Sequence, residues 1–110
     1  MFFHNKSNFE STLSNQFRIS SGWRGKNAKR YGHDDRNAKA SRRLLELEAA
    51  IHISDDAWNR LAPLVTSPAC LAAISETNRD VCFRTDPPDF SAWLDSLQAN
   101  LTRGVETGAA

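Results

Sequence analysis

Residues 88–102 place Phe90, Trp93, Leu94, Leu97 and Leu101 at i, i+3, i+4, i+7 and i+11. This is the period of a single helical face, and a strand, whose side chains alternate, cannot put all five on one side. A helix with so apolar a face must be covered by other elements. Pro87-Pro88 restrict the backbone just before it, and Gly104 is the expected C-terminal stop.

The covering elements read as helices too. Ser7 and Glu10 have capping-box spacing, and Phe9, Leu13 and Phe17 follow at four-residue intervals, predicting a short helix over residues 8–18. A second helix over residues 36–51, capped by Asp34 or Asp35, would bury Ala40, Leu44, Leu47 and Ile51. Ser54 with Asp55 and Asp56 is an N-cap followed by acids where the helix dipole favours them, so a third helix carries Trp58, Leu61 and Val65 and ends near Ala62, before Pro63. Ser67-Pro68 opens a fourth, with Leu71 and Ile74 inward and an end near Asn78. Residues 79–85 read as an extended connector, too short and isolated to found a sheet. The expected fold is therefore all-α, a single domain over residues 1–110 built from four to five short helices. A basic, glycine-containing loop or arm over residues 19–35 follows the first helix, and a frayed tail over residues 105–110 closes the chain.

A chain of 110 residues with 40% apolar and 25% charged residues supports one hydrophobic core and excludes a wholly disordered or collagen-like polymer. No apolar run is long enough to cross a bilayer, so no membrane role is expected. The start, Met1-Phe2-Phe3-His4-Asn5-Lys6, lacks the charged and apolar regions of a signal peptide, pointing to a cytoplasmic protein. In that compartment Cys70 and Cys82 are expected to be small core thiols, and their spacing supports no metal site.

Charge is the feature that bears on function. The formal net charge of +1 divides into ten Lys/Arg against three Asp/Glu over residues 1–43 and four against ten over residues 44–110. Nine of the cations lie between residues 18 and 43: Arg18, Arg24, Lys26, Lys29, Arg30, Arg36, Lys39, Arg42 and Arg43, with Trp23 and Tyr31 interleaved. Cations neutralise phosphates and aromatic faces stack on exposed bases, so this composition suits a polyanion. Six such contacts on a duplex would give a salt slope near −5. Four of the cations sit in the first turns of the second helix, against its dipole, at a cost of a few tenths of a kcal/mol each. Two alternatives stand beside an exposed arm. The acidic remainder of the chain can neutralise the cations internally, or the aromatics can fold back onto the core.

No catalytic pattern competes with this. The chain has no Gly-x-Ser-x-Gly elbow, and Gly22, Gly25 and Gly32 lack the spacing of a phosphate-cradling loop. His33-Asp34-Asp35 is similar to the His-Asp pair of metal-dependent phosphohydrolases, but His4 and His52 stand in no matching motif, and Asp34 or Asp35 serves equally as a helix cap. The thirteen residues from Ile53 to Val65 resemble the opening helix of certain insertion-sequence transposases, a likeness that implies a helical DNA-binding module and assigns no residue a role. The expected function is a small, non-enzymatic regulatory protein that binds nucleic acid through the basic segment and needs no cofactor. The alternative is an inhibitor or adaptor docking on an acidic protein surface. A homodimer seam is a further use for any apolar face left over.

Overall fold

A computed structural model describes residues 5–30, 35–65, 69–84, 86 and 88–106. Among these residues every regular element is an α-helix: α1 Lys6–Arg30, α2 Asp35–Ala49, α3 Asp55–Leu61, α4 Cys70–Cys82 and α5 Phe90–Glu106. The all-α, single-domain architecture expected from the sequence is thus the observed one.

α1 starts one residue after Asn5, whose side-chain oxygen accepts from the Asn8 amide at 2.8 Å while its carbonyl accepts from the Phe9 amide at 3.2 Å. Asn5 is therefore the N-cap, and the Ser7–Glu10 box expected from spacing is not the start. Phe9, Leu13 and Phe17 form the buried stripe as anticipated. The helix then continues for twelve residues beyond position 18, which corrects the expected loop over 19–35: residues 19–30 are helical, and residues 31–34 lie outside the described residues.

The reason is packing by small side chains. The stripe Phe9-Leu13-Phe17 extends at four-residue spacing into Ser21 and Gly25 and, three residues on, into Ala28, and α2 runs antiparallel against it. Ser21 and Ser41 exchange hydrogen bonds, each hydroxyl donating to the other's carbonyl at 3.0 Å. A Cβ on Gly25 would stand 3.6 Å from the Ser41 hydroxyl, an ordinary van der Waals contact, so Gly25 faces the Ser41 side chain of α2. The tertiary contact outweighs the weak helix propensity of Ser20, Ser21, Gly22 and Gly25.

α2 buries Ala40, Leu44 and Leu47. Ile51 lies past the end of the helix and is only partly buried. α3 is capped by Ser54, whose hydroxyl accepts from the Ala57 amide at 3.1 Å, and it stops at Leu61 ahead of Pro63, as the sequence indicates. α4 is helical through Cys82, so the extended connector expected over residues 79–85 is replaced in part by helix. Its inward positions are Cys70, Ala73, Ile74, Thr77 and Asn78, a register that leaves Leu71 exposed where an inward Leu71 was expected. α5 is capped by Asp89, which accepts from the Ala92 amide at 2.8 Å, and it runs through Gly104 to Glu106, so Gly104 is not its stop. Val105 and Glu106 belong to the helix instead of a frayed tail, and residues 107–110 lie outside the described residues.

Trp93 sits at the centre of the core, fully buried, with Phe17 at 4.8 Å and Phe90 at 5.8 Å between ring centroids. Its indole N–H donates to the Asn78 side-chain oxygen at 3.0 Å, which reconciles a buried polar atom with an apolar surrounding. α4 packs on α5 and across the α1–α2 hairpin, and Phe9 against Trp58 carries the core to α3. The molecule measures 43 × 28 × 24 Å. Its long dimension matches that of α1, which at 1.5 Å per residue is about 37 Å long.

Candidate nucleic-acid interface

Because α1 and α2 are antiparallel, the C-terminus of one and the N-terminus of the other share an end of the hairpin. The level of each residue follows from the cross-helix contacts: Arg18 against Glu48, Ser21 against Ser41, Arg24 against Asn37. Beyond the Ser21–Ser41 level the hairpin carries Arg24, Lys26, Lys29 and Arg30 on α1 and Arg36 and Lys39 on α2, all within roughly 12 Å along the axis. That span is comparable with the screening length at physiological salt, so the cations act as one field. Lys29 and Arg30 also sit at the negative end of the α1 dipole, which favours them, whereas Arg36 and Lys39 oppose the dipole of α2.

The nine cations differ in their surroundings. Arg18 pairs with Glu48 at 2.6 Å, so internal neutralisation does occur at that position. Arg43 donates to the Arg84 carbonyl at 2.6 Å, and Arg24 donates to the Asn37 side chain at 3.3 Å. Arg24 also lies 4.8 Å from the Trp23 ring centroid and 4.6 Å from that of Phe83, and Arg36 lies 5.0 Å from Phe83. Trp23, Arg24, Phe83 and Arg36 therefore form an alternating aromatic–cation stack that ties α1, the end of α4 and the start of α2 together. Lys26, Lys29, Lys39 and Arg42 are exposed, and no carboxylate among the described residues stands within salt-bridge distance of them. Arg30 is exposed, and Tyr31 lies outside the described residues.

Trp23 does not fold back onto the core: 57% of it is exposed, and Ile19, one turn earlier on the same face, is 63% exposed. The two sit at i and i+4, and Lys26 and Arg30 continue the stripe at i+7 and i+11. Beside Trp23 a groove of about 350 Å³ opens between α1 and α4, with Leu44 contributing from α2 and Arg24 and Arg79 among its lining residues. Arg79 and Phe83 escape a reading based on period alone, because the connector expected there gave them no helical register to share with Trp23.

Elsewhere the site chemistry is sparse. Among the described residues no group of three or more His, Cys, Asp or Glu side chains could hold a metal ion, and His33 and Asp34 of the His-Asp-Asp cluster lie outside them. α2 begins at Asp35, which places Asp35 within the helix, and Asp34 lies outside the described residues. Cys70 is buried and free, and burial pushes its thiol up to about 11 by penalising the thiolate. Cys70 and Cys82 stand at the two ends of one 13-residue helix, about 18 Å apart along its axis and far beyond the Cα separation a disulfide spans. No helix among the described residues is long and apolar enough to cross a membrane. Residues 53–65, which carry the likeness to a transposase helix, are α3 with its serine cap and proline exit. No family model, curated protein or solved structure matches the chain.

Proposed function

We propose that this protein is a non-enzymatic, cytoplasmic regulator that binds nucleic acid through the cationic end of the α1–α2 hairpin. The observation that carries the reading is the set Lys26, Lys29, Lys39 and Arg42, exposed on that hairpin with no carboxylate among the described residues within reach. A cation held apart from internal partners has counterions to release when phosphates replace them, and that release drives the association. Folding these residues as helix serves the same end, since a rigid array loses less conformational entropy on binding than a mobile arm.

The test is a titration into labelled single-stranded and duplex nucleic acid at several salt concentrations, beside a variant with Lys26, Lys29, Lys39 and Arg42 changed to Ala. Each phosphate contact contributes about 0.7 to the salt slope for a single strand and about 0.9 for a duplex, so losing all four should flatten it by about 3. Absence of binding at low salt, or a slope indifferent to the four substitutions, refutes the reading. An acidic protein surface is the second reading, favoured by the exposed Ile19 and Trp23 beside the cations. A second copy of the chain covering that face is the homodimer version, seen as concentration-dependent sedimentation.

A further inference from the structure

We propose that the groove between α1 and α4 holds an unpaired base of single-stranded nucleic acid, stacked on Trp23, with Arg24 and Arg79 beside the flanking phosphates. This rests on the nucleic-acid reading above and specifies the form of the ligand. Duplex recognition by cations alone needs no aromatic platform, and a paired base inside a duplex cannot reach a groove.

Three observations point to a base. Trp23 keeps more than half of its surface in water, although the neighbouring Arg24 guanidinium covers one side of the ring at 4.8 Å. The Arg24–Phe83 contact at 4.6 Å braces that guanidinium from behind, so Trp23 and Arg24 present a preset stacking edge. The groove beside it offers the exposed Ile19 as an apolar wall above the buried Leu44, and the exposed Ser75 as a hydrogen-bonding group that can serve any base. At about 350 Å³ it lies near the lower end of the roughly 300–1,000 Å³ range of small-ligand sites, suited to one planar ring and short for the row of anchors an amphipathic helix inserts.

Charge complementarity decides what accompanies the ring. Among the described residues, the charged side chains that line the groove are the cations Arg24 and Arg79, and no carboxylate lines it. On α4 Glu76 is engaged by Arg103 at 2.8 Å, and Asp80 is not among the lining residues. A ligand with a flat apolar face and an anion on either side fits this arrangement, and a strand of nucleotides has that repeat. The groove is also continuous through Trp23 with Lys26 and Arg30 on the same face of α1, which gives the rest of the strand a cationic track.

The experiment compares full-length protein with Trp23→Ala, Trp23→Phe and Arg79→Ala. The probes are a labelled oligo-deoxythymidine of about twelve nucleotides, inside the roughly 4–16 nucleotide range of single-strand sites, and a labelled duplex of equal length. Trp23→Ala should weaken single-strand binding by about 5- to 150-fold and leave duplex binding within about two-fold, while Trp23→Phe should retain most of the affinity. Single-strand addition should quench tryptophan emission in the parent and lose that quench in Trp23→Phe, and Arg79→Ala should lower the salt slope by about 0.7. Circular dichroism confirms that each variant keeps its helicity. Equal binding to both probes with Trp23→Ala affecting neither overturns this inference and leaves the broader reading standing. Failure of both probes at low salt overturns the two together. Capture of an acidic helical peptide with Trp23 dependence, in the absence of nucleic-acid binding, assigns the groove to a protein partner instead.

Discussion

Gly22 offers a direct probe of whether residues 19–30 are helix in solution. In α1 it is an interior position, and a Cβ built on it meets nothing within 4 Å. Gly22→Ala therefore adds no clash, and its effect reduces to helix propensity and lost freedom of the unfolded chain, about 0.5–1 kcal/mol in favour of folding. A chain of 110 residues has an unfolding entropy near 0.23 kcal/mol per kelvin, from about 2.1 cal/mol/K per residue, so the midpoint should rise by roughly 2–4 °C. Gly22→Pro should act in the opposite sense, since an interior proline costs about 3 kcal/mol and roughly 13 °C. Melting followed at 222 nm, with urea denaturation as an independent measure of free energy, reads both. If Ala leaves the midpoint unchanged or lowers it, and Pro is tolerated, residues 19–30 are not helical and the argument for a rigid cationic hairpin fails with them.

Asn78→Ala removes the acceptor of the Trp93 indole N–H in a fully buried site, and should cost about 1–3 kcal/mol; a denaturation midpoint unchanged from the parent would show that the bond is not made. Ser54→Ala strips the cap of α3 and should lower stability by about 1 kcal/mol in the same assay, with a null effect excluding the cap. For Cys70, in a Cys82→Ser background, thiol labelling at pH 8 should wait for unfolding, because the buried thiol ionises near 11. The sign of the pH dependence follows. Below pH 9 the thiol is protonated in both states and contributes nothing, while between 9 and 11 the unfolded chain releases a proton the folded one retains, so stability falls as pH rises through that window. Rapid labelling of native protein, or stability flat across that window, would count against the buried placement.

How much of this was legible without coordinates depends on what kind of side chain carries the signal. The face of α5 and the Phe9-Leu13-Phe17 stripe are written in large apolar residues at helical spacing, and both bury as read. The cap of α3 and its exit before Pro63 were equally plain, since a hydroxyl one residue ahead of two acids and a proline nine residues after that hydroxyl act through local backbone chemistry. The second half of α1 was not legible in the same way. Ser21, Gly25 and Ala28 continue the stripe at the right spacing, but small residues carry almost no hydropathy and two glycines nearby read as a break. α4 was cut short for a related reason. Thr77 and Asn78 look like a polar end until Asn78 is seen accepting from Trp93 and Thr77 from Asn100 at 2.8 Å.

The same division runs through the candidate site. Opposite net charges on the two parts of the chain and the run of cations from Arg18 to Arg43 are properties of the sequence, whatever its fold. So are the helical class and the single core, because apolar spacing and chain length determine them locally and by volume. Which cations stay clear of the acidic segment, and that Trp23 faces water beside Arg79 and near Phe83, depended on tertiary structure. The close seam of Ser21, Gly25 and Ser41 holds α2 against α1, and that packing, a contact between residues twenty apart, orients the face on which Trp23 and the lysines stand.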